Sequence, residues 1–246
     1  MSSLNRKIFF SICSRKNKRP KSLDTLVSYI EQDKDMHYSI SYDPKSVYEG
    51  HSSNLNNFVG QDNDIIVLCH DDIEIISHVE QFKKYISISV LPNTGFVGVA
   101  GSTRFDKEIG GAWWAARNSR ETRGFVFQGE DLETATPNYF GPAGQVVALD
   151  GCFLAIQYKK LRDIGISKPE GLSSDWDFYD IHLTIKSHFL GYNNYAVPIM
   201  IKHESPGIMR EGWYRSRDEY LSTQYFHKIL PIKLNYDRTN GIPRYV

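Results

Sequence analysis

The sequence predicts an α/β fold with a central, mostly parallel sheet flanked by helices. Three observations lead there. The run Ile65-Ile66-Val67-Leu68-Cys69 is apolar and β-branched, the pattern of a strand buried on both faces. Strand-like and helix-like segments alternate through the first half of the chain, which favours parallel pairing. The apolar run then stops at His70-Asp71-Asp72. Carboxylates are costly to bury without partners, so this pair belongs at the exposed end of the strand, where open α/β sheets bind ligands.

Taken in order, Lys7 to Ile12 reads as the first strand, followed by a basic loop with Arg15, Lys16, Lys18, Arg19 and Lys21. Ser22 stands where a cap belongs, before a helix from Leu23 to Glu31 whose Leu23, Leu26, Val27 and Ile30 share one face. His37 to Tyr42 alternates in polarity as a second strand and ends at Asp43. Residues 44–60 are polar and rich in Ser and Asn, and read as a loop with a short helix at its end. A helical segment around His78 to Tyr85 follows the apolar strand, and Gly95 to Gly101 is a further strand. Phe105 to Pro142 shows no regular period; it holds Gly110-Gly111, Trp113-Trp114 and Gly129-Glu130-Asp131. Val146 to Ile156 reads as a strand interrupted by Asp150-Gly151. A helix from Ser173 or Ser174 to about Phe189 stops at Gly191, and Tyr195 to Ile201 is the last strand.

Composition narrows the function. The 246 residues include 29 Lys plus Arg against 29 Asp plus Glu, so charge offers no reason to expect nucleic acid. Nowhere do eighteen apolar residues run together, so no membrane span is expected. Cys13, Cys69 and Cys152 are far apart, sit in or beside apolar runs and form no C-x-x-C pair; they read as buried free thiols in a cytoplasmic protein. The Asp71-Asp72 pair offers hard oxygen ligands for a divalent cation and, through it, a diphosphate. The bland alternative is a helix cap.

Further motifs join this pair in a fixed order: Asp150-Gly151-Cys152-Phe153 in an apolar strand, Tyr179-Asp180 in a helix, and His203 after the strand Val197-Pro198-Ile199-Met200-Ile201. Together they resemble the family-2-like glycosyltransferases of the GT-A fold, over roughly residues 7–205. That resemblance implies one domain across residues 1–246. Residues 7–100 would form the nucleotide-binding half, 101–205 the acceptor and catalytic half, and 206–246 a C-terminal helical tail or lid.

The resemblance also implies roles. Asp72 and His203 would hold Mn²⁺ or Mg²⁺, which stabilises the departing diphosphate as a Lewis acid. Asp71 would reach the ribose or hydrogen-bond the metal's ligands, Asp43 the nucleobase, and Asn54 would also serve the nucleotide. His70 stands where many relatives carry an Asp. Asp180 would be the general base that takes the acceptor's proton, while Asp175 and Asp177 read as helix-start acids, with Ser174 and Asp177 at capping-box spacing. Asp150 would bind sugar hydroxyls, Gly151 would make room for the ligand, and one of Trp113 and Trp114 would lie under a sugar ring. His182 reads as core packing. The implied partners are a UDP- or GDP-linked sugar donor and an acceptor that is a cell-surface glycan precursor or a glycosylated protein. Two other readings stand: a non-catalytic glycan-binding or assembly protein on a degenerate transferase fold, and a nucleotide-sugar hydrolase or nucleotidyltransferase.

Overall fold

In the computed structural model, which describes residues 6–18, 20–109, 112–115, 121–205, 209–223 and 232–234, the apolar strands feed two cores at once. The first elements are β1 (Ile8–Ser14), α1 (Lys21–Ile30), β2 (Met36–Tyr42), α2 (Val47–Asn56) and β3 (Ile65–His70). Along β3, Ile65, Val67 and Cys69 join one cluster while Ile66 and Leu68 join the other. β1 divides in the same way, with Ile8, Phe10 and Ile12 on one side and Phe9 and Cys13 on the other. Side chains of a strand alternate in direction, so a sheet covered on both faces needs apolar residues at nearly every position.

β4 (Ile73–Ile75), α3 (Val79–Ile86), β5 (Thr94–Gly98), β6 (Ala100–Ser102), β7 (Arg104–Phe105), β8 (Thr122–Gln128), β9 (Thr136–Gly141), β10 (Gly144–Val146), β11 (Ala148–Leu149) and β12 (Phe153–Gln157) follow. The chain continues through α4 (Tyr158–Ile164), α5 (Tyr179–Phe189), β13 (Asn193–Ala196), β14 (Ile201–His203), α6 (Glu211–Ser222) and β15 (Ile232–Lys233). The main sheet has the order β10-β13-β5-β12-β3-β1-β2, and a second runs β11-β6-β8-β14-β4 with β9 beside β8.

The main sheet is mixed where a mostly parallel one was expected. β1 pairs in parallel with β2 and β3, and β13 with β5, but β12 runs antiparallel between β3 and β5 and β10 antiparallel to β13. The long route from β5 to β12 passes through the second sheet, which lets β12 enter from the opposite end. Leu23, Leu26 and Ile30 of α1 and Phe82 and Ile86 of α3 cover one face; Val47 and Tyr48 of α2 and Leu161 and Ile164 of α4 cover the other.

Four expected elements differ. Residues 44–60 hold the full helix α2, whose N-cap Ser46 accepts a hydrogen bond from the Glu49 backbone N–H at 3.0 Å. Ser22 lies inside α1 behind Pro20, and its hydroxyl donates to Glu74 at 3.1 Å and to Glu204. The irregular stretch contains the β8–β9 hairpin. There a Cβ on Gly124 (φ +104°) would meet Val99 O at 1.9 Å, so glycine permits two backbones to cross. The helix expected from Ser173 begins only at Tyr179. Gly110, Gly111, Arg19 and residues 206–208, 224–231 and 235–246 of the expected tail lie outside the described residues.

Asn54 ties α2 to the sheet. Its buried amide donates to Ser11 Oγ and Ile12 O, both at 3.0 Å, and accepts from Ser39 at 2.9 Å and Ser41 at 3.2 Å. Asn54→Ala leaves those groups unsatisfied and is expected to lower unfolding free energy by about 2 kcal/mol in urea titration. A loss near zero would show that α2 is not held by this network.

Candidate active site

The site is built where β3 ends. The chain cannot carry Asp71 and Asp72 onward through an apolar sheet, so it turns out of the main sheet and enters the second one as β4. β14 runs antiparallel to β4 with His203 opposite Ile73, and Glu204 N–H donates to Asp72 O at 2.9 Å. That register delivers His203 to a residue 133 positions earlier, His70, with His203 Nε2 and His70 Nδ1 3.4 Å apart. Asp72 Oδ1 faces both imidazoles, 3.3 Å from His203 Nε2 and 3.6 Å from His70 Nδ1.

Three ligand atoms thus form a nearly equilateral triangle. Asp72 Oδ1 is buried without a hydrogen-bond partner of good geometry. Side-chain exposures of 39% for His70, 28% for Asp72 and 14% for His203 leave the cluster open on one side. A buried acceptor facing two ring nitrogens, each of which gives a lone pair once its proton is released, fits a divalent cation that displaces that proton. Burial pushes the Asp72 carboxyl upward, but the two imidazoles outweigh it and hold the group far below the usual carboxylate range. Burial likewise lowers His70, yet Asp72 beside it, with Asp150 and Asp180 further off, raises it to about 9.

The cluster opens into a cavity of about 500 Å³ whose walls include Ser14, Arg15, Asp71, Trp176, Tyr179 and Arg210. Asp71 Oδ2 accepts a 2.6 Å hydrogen bond from Ser14, while burial and the neighbouring Asp72 charge raise its pKa. His51, also in the wall, is buried against Ser11 Oγ at 2.8 Å; burial and the nearby His70 charge lower it to about 3, so it stays neutral.

Asp150 and Asp180 form a second group beside the first. Trp113 Nε1 donates to Asp150 Oδ2 at 3.2 Å and Cys152 N–H to Oδ1 at 2.9 Å. Gly151 N–H donates to Asp180 Oδ2 at 2.8 Å, and Ile181 N–H to Oδ1 at 2.8 Å. Burial first, and the Asp150 charge second, raise the Asp180 pKa to about 7. Just before α5, Phe178 adopts φ +63°, a strained conformation for a bulky residue. Its ring stacks on both Trp213 and Tyr220, each with centroids 5.3 Å apart, which holds the strained turn and with it Asp180.

A sequence model of a glycosyltransferase-like family matches residues 43–225. The chain belongs to that family. Its structure resembles a mannosyltransferase from Pyrobaculum calidifontis solved with GDP-mannose and Mn²⁺, at a TM-score of 0.54 and 12% identity. The match covers 92% of this chain and 65% of that one, so the chain spans less than two thirds of the relative, and the likeness shows the GT-A fold. GalNAc-T7 with UDP, GalNAc and Mn²⁺ matches at a TM-score of 0.47 and 10% identity, covering 86% of this chain and 46% of that one, too slight a likeness to carry an argument. A search of curated proteins gave no match.

Within this glycosyltransferase-like fold, several sequence-expected residues sit elsewhere than anticipated. Asn54 faces the β1–β2 strands, with its amide fully engaged there. Gly151 makes room for protein where ligand was expected: a Cβ would lie 2.7 Å from Tyr179 Oη and 2.9 Å from Asp180 Cβ. Asp180 is in the first turn of α5, where a deeper position was expected, because Ser174 and Asp177 bond to each other in the preceding loop (2.8 Å) and not at a helix start. Asp43 is exposed at the end of β2, has φ +50° and accepts from Lys16 N–H at 3.3 Å. Trp113 is core and Trp114 is 38% exposed. His182 is buried against Tyr220 as expected.

His70 is the main residue of this candidate metal cluster that sequence reasoning did not include. Its signal was the His-x-Asp spacing, since positions i and i+2 of an extended chain point the same way. Trp176 and Arg210 carried no signal, because only folding brings them to the cavity.

Each of His70→Ala, Asp72→Ala and His203→Ala is expected to weaken Mn²⁺ binding by at least about tenfold in calorimetry of the nucleotide-free protein. Unchanged affinity in His70→Ala would remove it from the set. Asp180 titrates above its unfolded value, so its ionisation withdraws stability as pH rises from about 4 to 7. In chelator-treated protein, Asp180→Asn should therefore raise Tm at pH 8 and lose that gain near pH 4. An equal gain at both pH values would rule out charge as the cause.

Proposed function

We propose that this chain is a metal-dependent glycosyltransferase that moves a sugar from a UDP- or GDP-linked donor to a glycan or glycoconjugate acceptor. We further infer inversion at the sugar, with Asp180 as general base. One observation carries this reading: a carboxylate with a pKa of about 7, fixed by two backbone N–H groups, stands beside a His-Asp-His cluster of metal-ligand character. A base poised near the working pH combines ionised form with proton affinity.

His70, Asp72 and His203 would hold the cation, and two imidazoles with one carboxylate suit Mn²⁺ better than Mg²⁺. When bound, it supplies Lewis-acid stabilisation of the diphosphate leaving group. Arg15 and Arg210 flank the same cavity and offer charge-assisted donors to phosphate oxygens. Asp71, oriented by Ser14, accepts from the ribose, and Asp43 from the base. Trp176, 42% exposed at the cavity wall, presents a flat face to base or sugar. Asp150 accepts sugar hydroxyls, Trp114 lies under a sugar ring of the acceptor, and Asp180 removes the acceptor's proton as the new bond forms.

The binding-only alternative would be favoured by Asp72 or Asp180 lying away from the pocket or locked in structural pairs; Asp72 lines the cavity. Among the described residues neither Asp72 nor Asp180 is paired with Lys or Arg. The three buried free thiols support a reducing, cytoplasmic setting. Among the described residues no helix is long and apolar enough to cross a membrane.

Calorimetric titration with UDP and with GDP, with Mn²⁺ and after chelation, tests the donor half. One nucleotide should bind only with metal, and Asp72→Ala should abolish it; binding of neither to folded protein would sink the reading. Asp180→Asn should keep nucleotide affinity while lowering kcat by about 10²–10⁴. The wild-type rate should rise with pH and level off above about 7. A kcat that survives Asp180→Asn would assign the base elsewhere.

A further inference from the structure

The transfer reading uses only Trp114 from a row of aromatic rings next to Asp150 and Asp180, and leaves Trp213 and Tyr214 without a role. Trp114 is 38% exposed and Tyr214 42% exposed. Between them lies Trp213 on α6, with ring centroids 5.7 Å from Trp114 and 5.4 Å from Tyr214. Exposed apolar surface of this kind is costly in water and marks contact surfaces.

This row is joined to both carboxylates. Trp114 meets Trp113 edge-on at 5.6 Å, and Trp113 donates to Asp150. Trp213 stacks on Phe178, two residues before Asp180. The loop before α5 is pinned to α6 by Ser216 Oγ donating to Asp177 at 3.0 Å and by Ser173 donating to Glu219 at 2.7–2.9 Å. The rings therefore keep a fixed relation to the carboxylates. Around them α6 exposes charged residues, including an Arg217–Asp218 pair at 2.7 Å, with Arg217 also over the Tyr214 ring at 5.4 Å.

We propose that Trp114, Trp213 and Tyr214 form an outer acceptor subsite that binds the sugar next to the one being glycosylated. The acceptor is then an oligosaccharide or glycan chain, and a free monosaccharide is a poor substrate. Sugar rings have apolar C–H faces and polar edges, which matches a row of aromatic faces with a charged rim. A carbohydrate is favoured over a second copy of this chain because the row is continuous with the carboxylates that handle the acceptor hydroxyl. The proposal rests on the transferase reading and specifies its acceptor class.

The test is a glycan array of mono- to hexasaccharides of hexoses, N-acetylhexosamines, deoxyhexoses and uronic acids, probed with wild-type protein, Trp114→Ala and Tyr214→Ala. Trp114→Phe and Tyr214→Phe keep a ring at each position. Wild-type binding should be confined to chains of two or more sugars, weaken at least about fivefold in each alanine variant, and return in the phenylalanine variants. Binding that survives both alanine variants, preference for monosaccharides, or no binder on the array overturns the proposal. So does a dimer in light scattering that Trp114→Ala dissociates. Nucleotide–Mn²⁺ titration on the same samples separates the two failures. Intact nucleotide binding with a failed array rejects only this subsite, whereas loss of both rejects the transferase reading.

Discussion

Everything at the site depends on a conflict between burial and charge at the end of β3. A strand buried on both faces cannot continue into two carboxylates, because desolvating them without partners costs several kcal/mol each. The chain resolves this by leaving the main sheet at Asp71 and joining the second sheet through Ile73–Ile75. That change of sheet opens the cavity, and pairing of β4 with β14 closes the cluster with His203.

The same change gathers more negative charge than the two imidazoles beside Asp72 offset. Asp71, Asp72, Asp150 and Asp180 lie close enough to shift one another or His70, and two of them are raised by their surroundings. An arrangement chosen for stability alone would place cations here or fewer acids. Phe178 adds backbone strain at the start of α5, held by stacking on Trp213 and Tyr220. Backbone strain and crowded acids with shifted pKa values in one place are features that functional sites share.

Much of this was legible in the residues. The apolar run of β3, its acidic end, the Asp-Gly strand and the late histidine all occupy the expected neighbourhood. α2 was not legible, because its buried residues Val47, Tyr48, Gly50, His51 and Asn54 include glycine and polar side chains whose partners lie on β1 and β2. The β8–β9 hairpin was hidden by Gly124, Gly129, Pro137 and Gly141, which read as breakers until neighbouring strands supply their hydrogen bonds. The start of α5 was misplaced because Ser174 and Asp177 satisfy each other in a turn as readily as at a helix cap.

The sequence alone determined which strands are buried on both faces and where the acids must surface, since both follow from local polarity and the period of the chain. Tertiary structure decided which of those residues meet. His203 reaches His70 only through the β4–β14 register, and a shift of one residue would turn its imidazole to the other face. Gly151 serves α5 because Tyr179 packs on it, and Asn54 serves the sheet because Ser39 and Ser41 lie opposite. Such partners are 13 to 133 residues away along the chain, and local sequence carries no record of their distance in space.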